Sequence, residues 1–177
     1  MKADRKYQKE ICECCGQTKT YTTAMSKAGA NIVKAFQVAI GKKGINVIHP
    51  GKEMVVAARE WSINRMLQDG SITPQMWKNL TQIKQHGLIA RVKGEVGNYL
   101  LTTKGAKFLR GERIAKYAII SKVDKRNIGY WLPDEETVCF KEFIDDDPNW
   151  ELMDYDIVEG RVVKTLPIKE VGQSTLL

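Results

Sequence analysis

The residues best equipped for chemistry fall in two places. The first is Cys12-Glu13-Cys14-Cys15-Gly16, which holds three of the chain's four cysteines. A C-x-x-C-G turn suits zinc, because Cys12 and Cys15 can share one ion at ~2.3 Å while the glycine relieves the tight backbone. A closed zinc site takes four ligands, and no second C-x-x-C follows. The other ligands would have to come from His49, His86, Cys139 or a second subunit. Without metal the same residues are a reduced thiol cluster, since disulfides belong to oxidising compartments.

The second place is the stretch 74–86. Base edges in the major groove are read by amides on adenine and by Lys or Arg on guanine. If this stretch is helical, Gln75, Lys78, Gln82 and Gln85 share one side, with Asn79 flanking. Met76, Leu80 and Ile83 then form the opposite, core-facing side, with Trp77 at its margin. Lys84, Arg91, Lys93, Lys104, Lys107 and Arg110 are flexible cations able to hold phosphates around such a face. Taken alone, a glutamine-rich face is also what any solvated helix presents.

Charge distribution bears on the choice between these two readings. The 177 residues carry 28 Lys+Arg against 21 Asp+Glu, a net +7. Residues 78–126 hold twelve basic and three acidic side chains, a net +9, whereas 134–160 hold eleven acidic and one basic, a net −10. A basic body beside a compact acidic segment fits a polyanion-binding surface next to a region that faces elsewhere, and equally two solvated faces. Within the acidic segment, Asp145-Asp146-Asp147-Pro148 lacks the spacing of a calcium loop and reads as a helix start or a solubilising run.

The elements that must position these residues follow from periodicity. Residues 24–41 place Met25, Ala28, Ile32, Phe36 and Ala39/Ile40 on one helical face, ended by Gly41 and Gly44. Tyr21 to Thr23 and Ile45 to Ile48 are short extended runs. A second helix is expected over 53–68, closed by Asp69-Gly70. Thr73-Pro74 caps and opens the third helix, and Gly87 ends it. From residue 88 the period changes to that of strands. Residues 88–93 and 98–102 make a β-hairpin around Gly94-Glu95-Val96-Gly97, and a short helix runs from Thr103 to about Arg110. Further on, 114–123, 130–132, 138–140 and 156–165 are β-prone, with a turn at Asn127-Ile128-Gly129.

Three helices followed by a hairpin is the order of a winged helix, and the wording supports the comparison. "NLTQIKQHGLIARV" resembles a recognition helix running into a first wing strand, and "YLLTTKGAKFLRGE" resembles the second strand with the helix after it. The chain thus resembles the winged helix-turn-helix DNA-binding family over residues 24–111. It is similar, more broadly, to small phage-type proteins in which a CxxCG turn, a winged helix and an F-x-RGE lead-in, here Phe108 to Glu112 followed by Tyr117, occur in that order.

The resemblance implies a winged-helix domain of three helices plus a hairpin wing over 24–111; with a Cys-rich segment (1–23) and an acidic, small antiparallel β appendage (112–177) read from the residues, the expected fold is α+β. It implies the fold and not the role. The amide-bearing face, joined to the basic segment and the element order, makes double-stranded DNA the expected partner, with the 74–86 helix in the major groove of a phage-type transcriptional regulator. Glu95, at the tip of the hairpin loop, would be repelled by phosphate. Symmetric DNA readers are commonly dimers, so a homodimer is one assembly open to it. The alternative is a protein-interaction module, such as a phage-encoded inhibitor of a host nucleic-acid enzyme.

Catalysis finds no support in motif: there is no P-loop, dinucleotide glycine pattern or H-E-x-x-H, and neither histidine has a recognisable partner. The expectation is a non-enzyme. No run reaches the ~20 apolar residues of a membrane span, and MKADRKYQKE is not a signal peptide, so a cytoplasmic protein is expected, in the host cytoplasm if phage-encoded.

Overall fold

The structure is a computed structural model that describes residues 11–17, 19–56, 67–68, 71–131, 136–143 and 155–164. The fold is α+β, and every sheet pairs its strands antiparallel.

Strand β1 (Thr20–Ala24) leads directly into α1 (Lys27–Lys43). The helix starts where Ser26 Oγ accepts the Gly29 N–H at 3.1 Å, and it stops at Gly44, whose left-handed φ of 71° turns its N–H back to Ile40 O. Gly41 lies inside α1 and does not end it. Neighbours enclose α1 on most sides, burying Ile32, Val33, Ala35, Phe36, Ala39 and Ile40. Ala28, expected on the apolar face, is exposed.

Residues 45–48 contribute one bridge rather than a strand, Ile48 exchanging backbone hydrogen bonds of 2.8 and 2.9 Å with Tyr99. A π-helical turn, Pro50–Met54, follows and continues helically through Val55 and Val56. Residues 57–66 of the helix expected over 53–68 lie outside the described residues. Its expected end is corrected, because β2 (Leu67–Gln68) pairs with β3 (Ser71–Ile72). The physical reason is the Asp-Gly pair between them, which favours a two-residue hairpin link over a helix end.

Helix α2 (Pro74–Gln85) then runs into the hairpin of β4 (Ile89–Arg91) and β5 (Tyr99–Leu101), in register Ile89↔Leu101. Thr102 Oγ1 caps α3 (Thr103–Leu109) by accepting the Gly105 N–H at 3.0 Å. Next come β6 (Ile114–Ala115), β7 (Tyr117–Ser121), β8 (Asn127–Trp131) and β9 (Thr137–Val138). Asn127-Ile128-Gly129 is therefore strand and not turn. The reversal falls at 122–126, where the Ser121 hydroxyl and Asp124 carboxylate accept local backbone N–H groups and Lys125 adopts a φ of 59°. Asn127 instead marks a β-bulge, since Ile119 and Ile120 face Gly129 and Asn127 respectively. The run expected over 138–140 is strand only to Val138, after which Phe140–Glu142 forms a short 3₁₀ turn.

Two features tie the ends of the chain to the middle. Strand β1 joins β7 and β8 in one sheet, order β1-β7-β8, so the N-terminal segment and the appendage share a structural unit. The terminal hairpin of β10 (Tyr155–Val158) and β11 (Arg161–Lys164) sends Ile157 into the main core. That core joins α1 to Met76, Leu80 and Ile83 of α2 and to Phe108 of α3, which meets Phe140 edge-on at 5.6 Å. Among the described residues no helix is long and apolar enough to cross a membrane.

Candidate nucleic-acid interface

Helix α2 is placed by its own sequence. Thr73 Oγ1 accepts the Met76 N–H at 3.2 Å, and Pro74 supplies a first-turn residue with φ preset. Met76, Leu80 and Ile83 face the core as the periodicity requires. Trp77 does not join them. It remains 43% exposed and shares the outer surface with Gln75, Lys78 and Thr81. Asn79 is half-buried beside them.

The C-terminal half of the same face is occupied. Gln82 accepts a hydrogen bond from Ser26 Oγ at 2.9 Å and donates to Thr23 Oγ1 at 3.4 Å and to Ala24 O. Gln85, only 7% exposed, donates to Tyr21 OH at 3.0 Å, while its own carbonyl accepts from Asn127 Nδ2 at 2.6 Å. Both side chains, expected to point outward, are turned into the protein, because β1 and β8 lie over this end of the helix. A buried amide is stable only when its donors and acceptors are paired, and these residues answer the polar groups of β1 and β8.

The expected phosphate contacts divide in the same way. Lys104 donates to His86 O at 2.9 Å and sits 3.8 Å above the Tyr130 ring, where burial holds its pKa below the usual lysine value. Lys107 pairs with Glu112 at 3.7 Å, and exposed Arg110 also has a partner of its own. Lys84, Arg91 and Lys93 differ: none has an ion pair among the described residues. Burial, then the positive charge of Arg91, lowers the Lys84 pKa. Arg91 leans toward the Tyr99 ring at 6.0 Å, and Lys93 is exposed. At the loop tip Val96 is fully exposed, and Glu95 accepts from Asn98 Nδ2 at 2.6 Å.

The histidines are both structural in position. His86 is fully buried; its Nε2–H donates to Thr23 O at 3.1 Å, and burial, reinforced by the nearby Lys104 charge, pushes its pKa down to about 4. His49 packs against Gly51 and Gly97, and its backbone N–H donates to Glu53 at 2.5 Å. Neither approaches the cysteine turn, where Cys12, Cys14 and Cys15 converge within 4.8 Å of one another. There the Cys14 thiol, followed by the backbone N–H groups of Cys14 and Cys15, lowers the Cys12 pKa to about 6. Cys139 stands apart and lies 3.6 Å from Glu142 Oε1. Asp145, Asp146 and Asp147 lie outside the described residues.

Trp77, Thr81 and Cys14 are thus the residues that the sequence did not single out. Trp77 had a signal in its position at the apolar margin, and Cys14 had one in its adjacency to Cys15. Compared with family models, with curated proteins and with solved structures, the chain matches none. The functional reading therefore rests on its own residues.

Proposed function

We propose that residues 24–111 form a winged helix that binds duplex DNA, with the N-terminal half of α2 entering the major groove, as in a transcriptional regulator of phage type. The order supports this: α1, the Ile48 bridge, the helical start at Pro50, α2, then the β4–β5 hairpin as wing, its inner edge extended by Ile48. Helix-turn-helix readers address base edges mainly with the first turns of the recognition helix. Here those turns expose Gln75, Trp77, Lys78 and Thr81.

The observation that carries the reading is that the exposed stripe of α2 is followed by three cations, Lys84, Arg91 and Lys93, none of which has an ion pair among the described residues. A phosphate would relieve the repulsion of Lys84 by Arg91. Gln82, Gln85 and Lys104 leave the contact set, since their polar atoms already serve the fold.

Fluorescence anisotropy on a labelled random duplex at rising salt tests this. Lys84→Ala and Arg91→Ala should each reduce the slope of log affinity against log salt by about 1. Lys78→Ala and Trp77→Ala should weaken binding at fixed salt with no change in the unfolding midpoint. No binding at low salt, or binding indifferent to all four changes, would remove the proposal. Trp77 also favours a second reading, a protein-docking face, because exposed tryptophans commonly anchor protein interfaces. Under that reading the duplex is not bound, and Trp77→Ala abolishes capture of a protein partner.

A further inference from the structure

We propose that Cys12, Cys14 and Cys15 together bind one thiophilic d¹⁰ cation, zinc in a cell, through three thiolates, leaving one coordination position open. The three sulfurs all lie within 4.8 Å of one another. Three thiolates on one tetrahedral zinc at ~2.3 Å stand about 3.8 Å apart, so closing on an ion requires only small side-chain rotations.

The turn that presents them is already formed. Gly16 N–H donates to Cys12 O, and Cys12 N–H to Gln17 O, both at 2.8 Å, which closes the loop around the three side chains. Gly16 has a left-handed φ of 68° that a side chain would oppose.

Cys14 and Cys15 are exposed, so an ion can reach them. Soft sulfur donors in threes select zinc and its heavier congener cadmium over hard cations. Binding replaces the protons that the sulfurs carry, which pass to solvent, with no change in oxidation state. Among the described residues no histidine, carboxylate or fourth cysteine joins the group. The fourth position is then completed by water or by a ligand from outside this cluster. The turn lies just ahead of β1, the strand that covers the Gln82 and Gln85 end of α2.

The experiment is a titration of the reduced full-length chain with cobalt(II), then zinc. One equivalent of cobalt should raise a sulfur-to-cobalt charge-transfer band, which one equivalent of zinc bleaches. Cys12→Ser, Cys14→Ser and Cys15→Ser should each weaken binding by at least about tenfold and shrink the band, while Cys139→Ser leaves both unchanged. A second measurement needs no variant: zinc should slow alkylation of Cys12, Cys14 and Cys15, but not of Cys139, as read by mass spectrometry of peptides. The proposal is overturned by absence of the band, by unslowed alkylation, or by dependence on Cys139. Full binding by Cys14→Ser would also overturn it, because it would leave an ordinary two-thiol turn.

Discussion

His86 carries no exposed surface, and it sits where α2 ends and donates to Thr23 O through Nε2–H. Its neutral form is the one that fits, since burial and the Lys104 charge both oppose a second proton. With a native pKa of about 4 against an ordinary 6.5, the unfolded chain binds more protons between those values. Stability should then be full above pH 6.5, fall as pH drops toward 4, and level off below it, by on the order of 3 kcal/mol in all. Urea unfolding from pH 7 to 4 measures this. His86→Gln should flatten the slope across that window; an equally steep variant would assign the pH dependence to other groups. The residue scale also holds the least expected result, that two glutamines read as groove contacts are instead paired inside the fold.

Glycine spacing explains how the elements meet. A Cβ on Gly105 would stand 2.2 Å from Leu88 O and 2.6 Å from Leu101 Cδ1, so α3 can lie against the start of the hairpin only with glycine there. Gly105→Ala should destabilise the protein by about 1–3 kcal/mol, because the nearer obstacle is backbone and cannot rotate away. A thermal unfolding midpoint equal to that of the parent would contradict this packing. Gly29 has the same function between α1 and α2, where Gln82 Oε1 occupies the space a Cβ would need, at 2.9 Å. Gln82 is thus fixed between Gly29, Ser26 and β1, which closes that part of the polar face of α2.

At the scale of the molecule, Asn46 joins three parts of the chain. Its Nδ2 donates to Leu101 O at 2.8 Å and to Gly160 O at 3.0 Å, and its Oδ1 accepts the Leu101 N–H at 2.8 Å. The side chain thereby replaces a missing strand at β5 and anchors the terminal hairpin. Asn46→Ala would strand the buried backbone groups of Leu101 and should cost about 2–3 kcal/mol, measurable as a lower denaturant midpoint. A change below about 0.5 kcal/mol would mean that the hairpin is held by the apolar contacts of Ile157 and Val162 and not by Asn46.

The same scale separates what was legible in the sequence from what was not. Local signals were sufficient wherever the deciding partner lies within a few residues. Thr73 and Pro74 start α2, Met76, Leu80 and Ile83 turn inward, and the hairpin closes around Gly94 and Gly97. The C-x-C-C-G turn is likewise a local object, and its thiols converge without help from the rest of the chain. The sequence by itself therefore determined α2 with its cap and core face, the hairpin after it, and the basic character of the central segment. Only the tertiary structure decided which side of α2 stays open. That choice depends on β1 pairing with β7, nearly a hundred residues away, and on β8 placing Asn127 against Gln85. Periodicity reports that a helix has two faces, but a polar face covered by a distant strand has the same spacing as one left in water.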